Sequence, residues 1–206
     1  TPYIWQDGHF VNWNDAKVHF LTHSLHYGTA VFEGVRVYPT PNGPAIFRGL
    51  DHFERLLRSA KTYFYTVPYT AEDLLNVCKE LLRKNALEAA YIRPLVYYGY
   101  EKMGLSPIGN PTKVGMAAWQ WGSYLGEEGT KNGIRVKISQ WARIDSRILP
   151  PQAKCAANYA NSTLAKMEAL SAGYDEALLL NLKGNVAEGS VVNFFMVKDN
   201  TLITPS

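Results

Sequence analysis

The chain has 206 residues, of which 47% are hydrophobic and 19% are charged, and its formal net charge is +3. This composition is typical of a globular protein with one large domain or two small ones. The small net charge and the lack of any run of like charges argue against nucleic-acid binding. The apolar runs are short and no charged leader precedes one, so neither a membrane span nor a signal peptide is expected.

The two cysteines lie in unlike contexts. Cys78 and Cys155 form neither a metal-binding pattern nor a CxxC motif. We therefore expect reduced thiols in a cytoplasmic protein, and no metal site.

The first half of the chain alternates between strand-like and helical patterns. A hairpin is predicted around Asp7-Gly8. One helix is predicted to begin at Asp51, which has Glu54 three residues later in a capping-box arrangement. A second helix is predicted from Thr70 to Asn85. Strand-like segments are predicted at 3–5, 10–13, 19–21, 30–38, 45–47, 91–98 and 113–121.

A glycine-rich segment at 122–133, with four glycines and three charged residues, favours a domain boundary. The expected fold class is α/β. A small domain of mixed helices and strands is expected at 1–122, a linker at 123–133, and the N-terminal part of a larger α/β domain at 134–206.

The larger domain has one predicted helix, at 158–171, whose apolar side would consist of Ala160, Leu164, Met167 and Leu170. Short strands are predicted at 134–140, 176–182, 185–188, 193–198 and 201–203. A single helix covers little of such a sheet and would leave apolar surface exposed. We therefore expect the chain to be part of a longer protein, truncated at its C-terminus.

Two short motifs carry the chemistry that stands out. Lys154 begins the sequence KCAANY, and Glu188 begins EGSVVNF. A lysine amine that forms a Schiff base and a carboxylate that keeps a pyridine nitrogen protonated are the protein groups that pyridoxal-phosphate chemistry needs. Seen alone, the local residues favour a solvated surface lysine at Lys154 and an ordinary glutamate at the end of a strand at Glu188.

The motifs together make the chain resemble the fold-type-IV pyridoxal-phosphate aminotransferases, and among them the branched-chain amino acid aminotransferases. The matching stretches are 23–36 (HSLHYGTAVFEGVR), 47–48 (FR), 52–56 (HFERL), 91–96 (YIRPLV), 121–126 (WGSYLG), 154–159 (KCAANY) and 173–177 (GYDEA) through 188–189 (EG). They run in collinear order along essentially the whole chain. The resemblance implies the fold of the D-amino acid aminotransferase type.

The resemblance also implies the cofactor, pyridoxal 5′-phosphate, and four residues that bind it. Lys154 would form the Schiff base and carry the proton, and Glu188 would hold the pyridine nitrogen. Arg55 would bind the phosphate, and Tyr159 would bond to the ring oxygen. From the local sequence alone, Arg55 could be a solvated helix arginine and Tyr159 a core tyrosine.

A set of aromatic residues and one arginine is expected to bind the substrates. Aromatic rings can enclose a leucine-like side chain, while hydroxyl groups and a guanidinium can orient a carboxylate. The resemblance implies that Arg93 and Tyr27 lie near the side chain of the acidic co-substrate. The expected substrate-binding residues are Tyr27, Phe32, Tyr91, Arg93 and Tyr124.

The implied reaction is transfer of the amino group from Leu, Ile or Val to 2-oxoglutarate. A D-amino acid or (R)-amine transaminase, or an aminodeoxychorismate lyase, is an alternative of the same fold, and a non-catalytic binding or structural protein is one of another class. The partners expected are small-molecule substrates, namely amino acids and 2-oxo acids. The resemblance implies a homodimer or higher homo-oligomer, and residues 100–109, a long aperiodic segment of the kind found in interface loops, support it.

Overall fold

The structure is a computed structural model that describes residues 1–122 and 124–205, so Ser123 of the expected linker and Ser206 lie outside the described residues. The chain forms two compact units. The first consists of Thr1–Trp121 and Gln152–Ala157, and the second of Gly122–Pro151 and Asn158–Ser206. In the described ranges, no helix is long and apolar enough to cross a membrane.

The first unit is built on a seven-stranded antiparallel sheet. Its strands are β1 (Tyr3–Gln6), β2 (His9–Asn12), β3 (Val31–Phe32), β4 (Val35–Tyr38), β5 (Ala45–Ile46), β6 (Ala90–Tyr98) and β7 (Thr112–Trp119). They lie in the order β2-β1-β7-β6-β4-β5, and β3 also pairs with β6. The long hairpin of β6 and β7 therefore forms the centre of the sheet.

Three helices belong to the first unit: α1 (His23–Tyr27), α2 (Gly49–Thr62) and α3 (Ala71–Lys84). Side chains of α2 and α3 pack in one apolar core with the sheet, and Phe53, Leu74 and Ile92 are fully buried there. The predicted helix after Thr70 is present, because the Thr70 hydroxyl and the Asp73 carboxylate cap its first turn reciprocally.

The start of α2 differs from its prediction. The helix begins at Gly49, two residues before Asp51, and the expected capping box is absent. Instead, the Asp51 carboxylate accepts a hydrogen bond from Nε of Arg48 at 3.0 Å. The strand expected at 19–21 is also wrong: that segment has no strand, and the short helix α1 follows it.

The second unit has a smaller sheet in which β8 (Val136–Ile138) runs parallel to β9 (Glu176–Leu180), and β10 (Val186–Gly189) is antiparallel to β9. A separate hairpin follows, formed by β11 (Met196–Lys198) and β12 (Thr201–Ile203). The helices are α4 (Gly126–Asn132) and α5 (Asn158–Ser171). Segment 123–133, expected as a linker, thus contains a helix, and the division into domains proposed from the sequence stays a prediction.

Helix α5 has the predicted bounds but buries a different side. Leu164, Met167 and Leu170 of the predicted apolar side are 48%, 55% and 47% exposed. The buried face is made of Asn158, Ser162, Ala165 and Ala169. Small residues on that face let the helix backbone lie close to β9, where Ala177 and Leu179 complete a small core.

Candidate active site

Lys154 is held in the first unit by its own backbone. Its N–H donates to the Ser59 hydroxyl at 3.1 Å, and its carbonyl accepts from the Phe32 N–H at 3.0 Å. The next residues continue the pairing, since Ala156 N–H donates to the Ala30 carbonyl at 2.8 Å. The lysine backbone is therefore fixed between β3 and helix α2, and Lys154 Nζ lies 5.3 Å from the centroid of the Phe32 ring.

A glycine makes this pairing possible at the end of α1. Gly28 has a φ of +67° and closes the helix by donating to the Ser24 carbonyl. A Cβ at Gly28 would lie 3.3 Å from Cβ of Ala157, which pairs with it. The glycine thus provides both a left-handed backbone and a close approach of the two segments.

Arg55 lies on α2 and is bonded to a buried carboxylate. Its Nε donates to Oε1 of Glu33 at 2.5 Å and a terminal amino group donates to Oε2 at 2.8 Å. Glu33 is fully buried, whereas the Arg55 side chain is 47% exposed. His52 Nδ1 also lies 3.0 Å from Oε2. Burial alone would raise the pKa of Glu33, but the bonds from Arg55 and His52 outweigh it and lower that pKa to about 2.

Phe32, Tyr91 and Arg93 form one cluster on the central strands. The Arg93 guanidinium carbon lies 4.5 Å from the centroid of the Phe32 ring and 5.3 Å from that of Tyr91. One terminal amino group of Arg93 donates to the Tyr91 hydroxyl at 3.1 Å, while its Nε is buried without a hydrogen-bond partner. A buried donor without a partner is costly, and a ligand carboxylate is the kind of group that satisfies one.

Tyr91 occupies space left by a glycine, whereas Tyr27 is partly exposed. A Cβ at Gly34 would lie only 2.0 Å from the Tyr91 hydroxyl, so the absence of a side chain there leaves room for that ring. Tyr27 ends α1, is 36% exposed and packs on the His23 ring at 4.6 Å.

In the second unit, Glu188 is paired with an arginine. The Arg143 Nε donates to Oε1 of Glu188 in a close contact, and Arg143 also bonds to the Asn161 side chain on α5. The Arg143 N–H donates to the Leu180 carbonyl at 2.8 Å, which fixes this arginine beside the sheet. The carboxylate at the end of β10 is therefore held in a defined orientation.

Tyr124 and Tyr159 line one cavity of about 140 Å³, also within the second unit. The Tyr124 hydroxyl donates to Glu176 Oε2 at 3.0 Å, and the Ser190 hydroxyl donates to Oε1 at 2.5 Å. Burial alone would raise the pKa of Glu176, but the bonds from Ser190 and its other partners lower it. The cavity is lined by Tyr124, Tyr159, Ser162, Thr163, Lys166, Met167, Ser190 and Val191.

The predicted site residues thus fall into two groups. Lys154, Arg55, Tyr27, Phe32, Tyr91 and Arg93 belong to the first unit, and Tyr159, Glu188 and Tyr124 to the second. Sequence reasoning missed the residues that orient them, which are Glu33, His52, Ser59, Arg143 and Glu176. Glu33 and His52 lie inside the motifs FEGVR and HFERL, and that was the one signal available for them. Among the described residues, no group of three or more His, Cys, Asp or Glu side chains could hold a metal ion.

Comparison with known proteins identifies relatives along nearly the whole chain. The family model described as amino-transferase class IV matches residues 30–206. A branched-chain-amino-acid aminotransferase of Pseudomonas aeruginosa is 48% identical over 202 residues, which are 98% of this chain and 66% of that protein. One of Escherichia coli K12 is 45% identical over 206 residues, which are 100% of this chain and 67% of that protein. The chain thus spans about two thirds of the length of these relatives.

Solved structures agree with the sequence relatives. The crystal structure of the Escherichia coli branched-chain amino acid aminotransferase superposes with a TM-score of 0.96 at 45% identity, covering 98% of this chain and 67% of that one. The branched-chain aminotransferase of the archaeon Thermoproteus uzoniensis with norvaline has a TM-score of 0.92 at 42% identity, with coverage of 98% and 67%. A further branched-chain amino acid aminotransferase, solved with pyridoxamine 5′-phosphate, has a TM-score of 0.93 at 48% identity and the same coverage, 98% and 67%. The fold expected from the sequence, that of fold-type-IV aminotransferases, is confirmed.

Proposed function

We propose that the protein, because it belongs to the class IV aminotransferase family, is an aminotransferase. It moves the amino group of Leu, Ile or Val to 2-oxoglutarate with pyridoxal 5′-phosphate as cofactor. The observation that carries this proposal is Lys154, whose backbone is held at both N–H and carbonyl while its amine lies beside Phe32. The names of the relatives, branched-chain-amino-acid aminotransferases at 45–48% identity, support the choice of substrate.

The residues present fit the cofactor. Arg55 is a half-exposed guanidinium whose orientation is set by a buried carboxylate, which suits a phosphate group. Glu188 is an oriented carboxylate, and Tyr159 has its side chain at a cavity. When bound, pyridoxal phosphate supplies a carbonyl that condenses with amines and a ring that accepts the electron pair left at the substrate α-carbon. All four assignments, Lys154, Arg55, Tyr159 and Glu188, are proposals.

Lys154 has two tasks in this reaction. Its Nζ would hold the cofactor covalently, and once substrate has taken its place the released amine would carry a proton from the substrate α-carbon to C4′ of the cofactor. Both tasks require an amine with a defined position, because proton transfer depends strongly on geometry. The bonds of Lys154 to Ser59 and Phe32 supply that position, and only the side chain remains to move.

Glu188 is proposed to stabilise the positive charge of the cofactor ring, and Arg55 to bind the cofactor phosphate. The Glu188 carboxylate would keep a proton on the pyridine nitrogen, and a protonated ring is the better acceptor of electrons. The bond from Arg143 orients this carboxylate. Arg55 would bind the phosphate with its guanidinium and so anchor the cofactor. Tyr159 would donate a hydrogen bond to the ring oxygen.

The substrate side chain and carboxylates are bound by the aromatic residues and Arg93. Phe32 and Tyr91 provide apolar surface for a branched side chain. The unpartnered Nε of Arg93 supports its role toward the second carboxylate of 2-oxoglutarate, next to Tyr27. Tyr124 is the fifth residue proposed to bind substrate, and within the second unit Glu176 accepts a hydrogen bond from its hydroxyl.

Assembly and location complete the proposal. The enzyme is a homodimer or higher homo-oligomer in the cytoplasm. Loop 100–109 supports the assembly, since Leu105 and Ile108 are largely exposed while His23 Nε2 lies 3.0 Å from the Gly104 carbonyl and holds the loop. The free buried thiols of Cys78 and Cys155 support a reducing compartment. Light scattering on the protein and on a Leu105→Asp variant tests the oligomer, and a monomeric, active wild type would contradict it.

A substrate panel tests the function. Purified protein reconstituted with pyridoxal phosphate is assayed with L-leucine, L-isoleucine, L-valine, D-alanine and (R)-1-phenylethylamine, each with 2-oxoglutarate. We expect turnover of the three branched-chain L-amino acids to exceed that of the others. Preference for D-alanine or the (R)-amine would assign the enzyme to another activity of the same fold. Absence of a visible absorbance band from bound cofactor would instead favour a non-catalytic protein.

A further inference from the structure

The reaction described above assigns no step to the buried carboxylate of Glu33. Glu33 lies between Phe32 and Gly34, and its N–H donates to the Pro94 carbonyl of β6 at 3.1 Å. Its side chain is fully buried and extends to helix α2. Leaving water is costly for a carboxylate, so a residue kept in this position calls for an explanation.

The carboxylate of Glu33 makes a two-point contact with Arg55. Oε1 accepts from Nε at 2.5 Å and Oε2 accepts from a terminal amino group at 2.8 Å, so the plane of the guanidinium is set relative to the carboxylate. His52, one turn earlier on α2, contacts Oε2 at 3.0 Å. The remaining part of Arg55 stays accessible, since its side chain is 47% exposed.

We propose that Glu33 is a positioning residue of the phosphate subsite, holding the Arg55 guanidinium in the orientation that binds the 5′-phosphate of the cofactor. This inference rests on the assignment of Arg55 under the proposed function. A half-exposed arginine has many rotamers, and binding phosphate would otherwise restrict all of them. Glu33 restricts them beforehand, so less conformational entropy is lost when the phosphate binds.

Glu33 also affects phosphate binding through its charge, and this effect weakens binding where the positioning effect strengthens it. A carboxylate near a phosphate repels it, so removing the charge of Glu33 would by itself strengthen phosphate binding. The positioning effect predicts weaker binding. The direction of the change therefore separates the two, and a merely structural role would affect ligands with and without a phosphate alike.

The test compares pyridoxal phosphate with pyridoxal, which lacks the phosphate ester. Dissociation constants of both are measured by equilibrium titration of the apo-protein, for wild type and Glu33→Gln. We expect the variant to bind pyridoxal phosphate about tenfold more weakly, the factor that one charge-assisted hydrogen bond contributes. Pyridoxal affinity should change by less than about twofold, because the variant keeps the fold and the amine.

The matched control is Asp51→Asn on the same helix. It makes the same change of charge, but Asp51 is exposed and pairs with Arg48 instead. We expect its ratio of the two dissociation constants to equal that of wild type. If Glu33→Gln does not fold, Glu33→Asp is measured in the same way, since it keeps the charge and shortens the reach.

Several results would overturn the inference. One is that the Glu33 variant has the same ratio of the two dissociation constants as wild type. Another is that this ratio changes because the variant binds pyridoxal phosphate more tightly. The third is that neither Glu33 variant folds, which would make Glu33 a structural residue. Failure of the proposed function would look different. In that case wild type itself would not prefer pyridoxal phosphate over pyridoxal.

Discussion

The N–H of Phe32 donates to the carbonyl of Lys154 at 3.0 Å, and the Lys154 amine lies 5.3 Å from the centroid of the Phe32 ring. One residue of β3 thus both fixes the backbone of the lysine and forms part of the surface that its amine faces. An isolated bridge between Val31 and Cys155 extends the same pairing. Strand pairing therefore positions the backbone of Lys154, the residue proposed to supply the reactive amine.

Replacing the lysine is expected to stop the reaction without unfolding the protein. Lys154→Ala keeps the backbone bonds to Ser59 and Phe32, so the thermal midpoint should change little, while the covalent link and the proton carrier are lost. The measurement is the half-reaction with L-leucine, followed by cofactor absorbance. Lys61→Ala, an exposed lysine on α2, is the control. Conversion at the wild-type rate by Lys154→Ala would refute the assignment.

The hydroxyl that holds Lys154 should matter for both stability and rate. In Ser59→Ala the Lys154 N–H loses its acceptor, which should lower the free energy of unfolding by about 1–3 kcal/mol. Because the lysine then has a looser position, kcat should fall more than KM rises. Urea unfolding and steady-state kinetics measure the two effects.

Thr62→Ala is the control for Ser59→Ala, since it removes an exposed hydroxyl bonded to the Arg58 carbonyl on the same helix. We expect nearly wild-type values for it. A Ser59→Ala enzyme as stable and active as this control would show that the bond to Lys154 has no consequence.

Gly34 is expected to tolerate no side chain. A Cβ there would lie 2.0 Å from the Tyr91 hydroxyl, so Gly34→Ala must displace that ring and with it the bond to Arg93. The strain should cost about 1–3 kcal/mol of stability. KM for 2-oxoglutarate should rise more than KM for L-leucine, since Arg93 is proposed to bind the second carboxylate.

The control for Gly34→Ala is Gly115→Ala on β7, where an added Cβ would meet its nearest atom at 3.7 Å. It measures how much stability is lost when a glycine of the same sheet is replaced by alanine without a clash. Equal effects of the two substitutions would mean that the contact with Tyr91 is not the cause.

Acid should weaken the first unit through Glu33. Its pKa is lowered from 4.5 to about 2 in the folded protein, so the folded state favours the ionised form. The resulting stability is fully present above about pH 4.5 and is lost as the pH falls toward about 2, in total of the order of 3 kcal/mol. Urea unfolding at pH 7, 4.5 and 3 measures it. The decline should be shallower in Glu33→Gln, and parallel curves would contradict the prediction.

Glu188→Gln should slow the reaction far more than it weakens cofactor binding. The amide keeps a hydrogen-bonding group but cannot stabilise a positive charge on the ring. The measurement is the single-turnover rate beside the dissociation constant of the cofactor, with Glu127→Gln on α4, an exposed glutamate, as control. Equal losses in both quantities, or none, would show that Glu188 is not the electronic partner.

Local patterns predicted most of the elements. The start of α3 after Thr70 and the bounds of α5 at 158–171 follow from neighbouring residues, and the structure has both. The apolar side of α5 is not the side that the helix buries, because burial depends on what packs against a helix. Leu164, Met167 and Leu170 form an apolar stripe with Ala160. The side that packs against the sheet instead contains alanines and a serine, and these small side chains allow close packing.

The sequence by itself determined the family, through Lys154, Glu188 and the motifs around them, because these residues occur in short stretches that can be read directly. Only the tertiary structure decided what orients these groups. Glu33 and Arg55 are 22 residues apart, and Arg143 and Glu188 are 45 apart. No periodicity joins residues so distant in sequence, since their contact arises only when strand, helix and loop have packed.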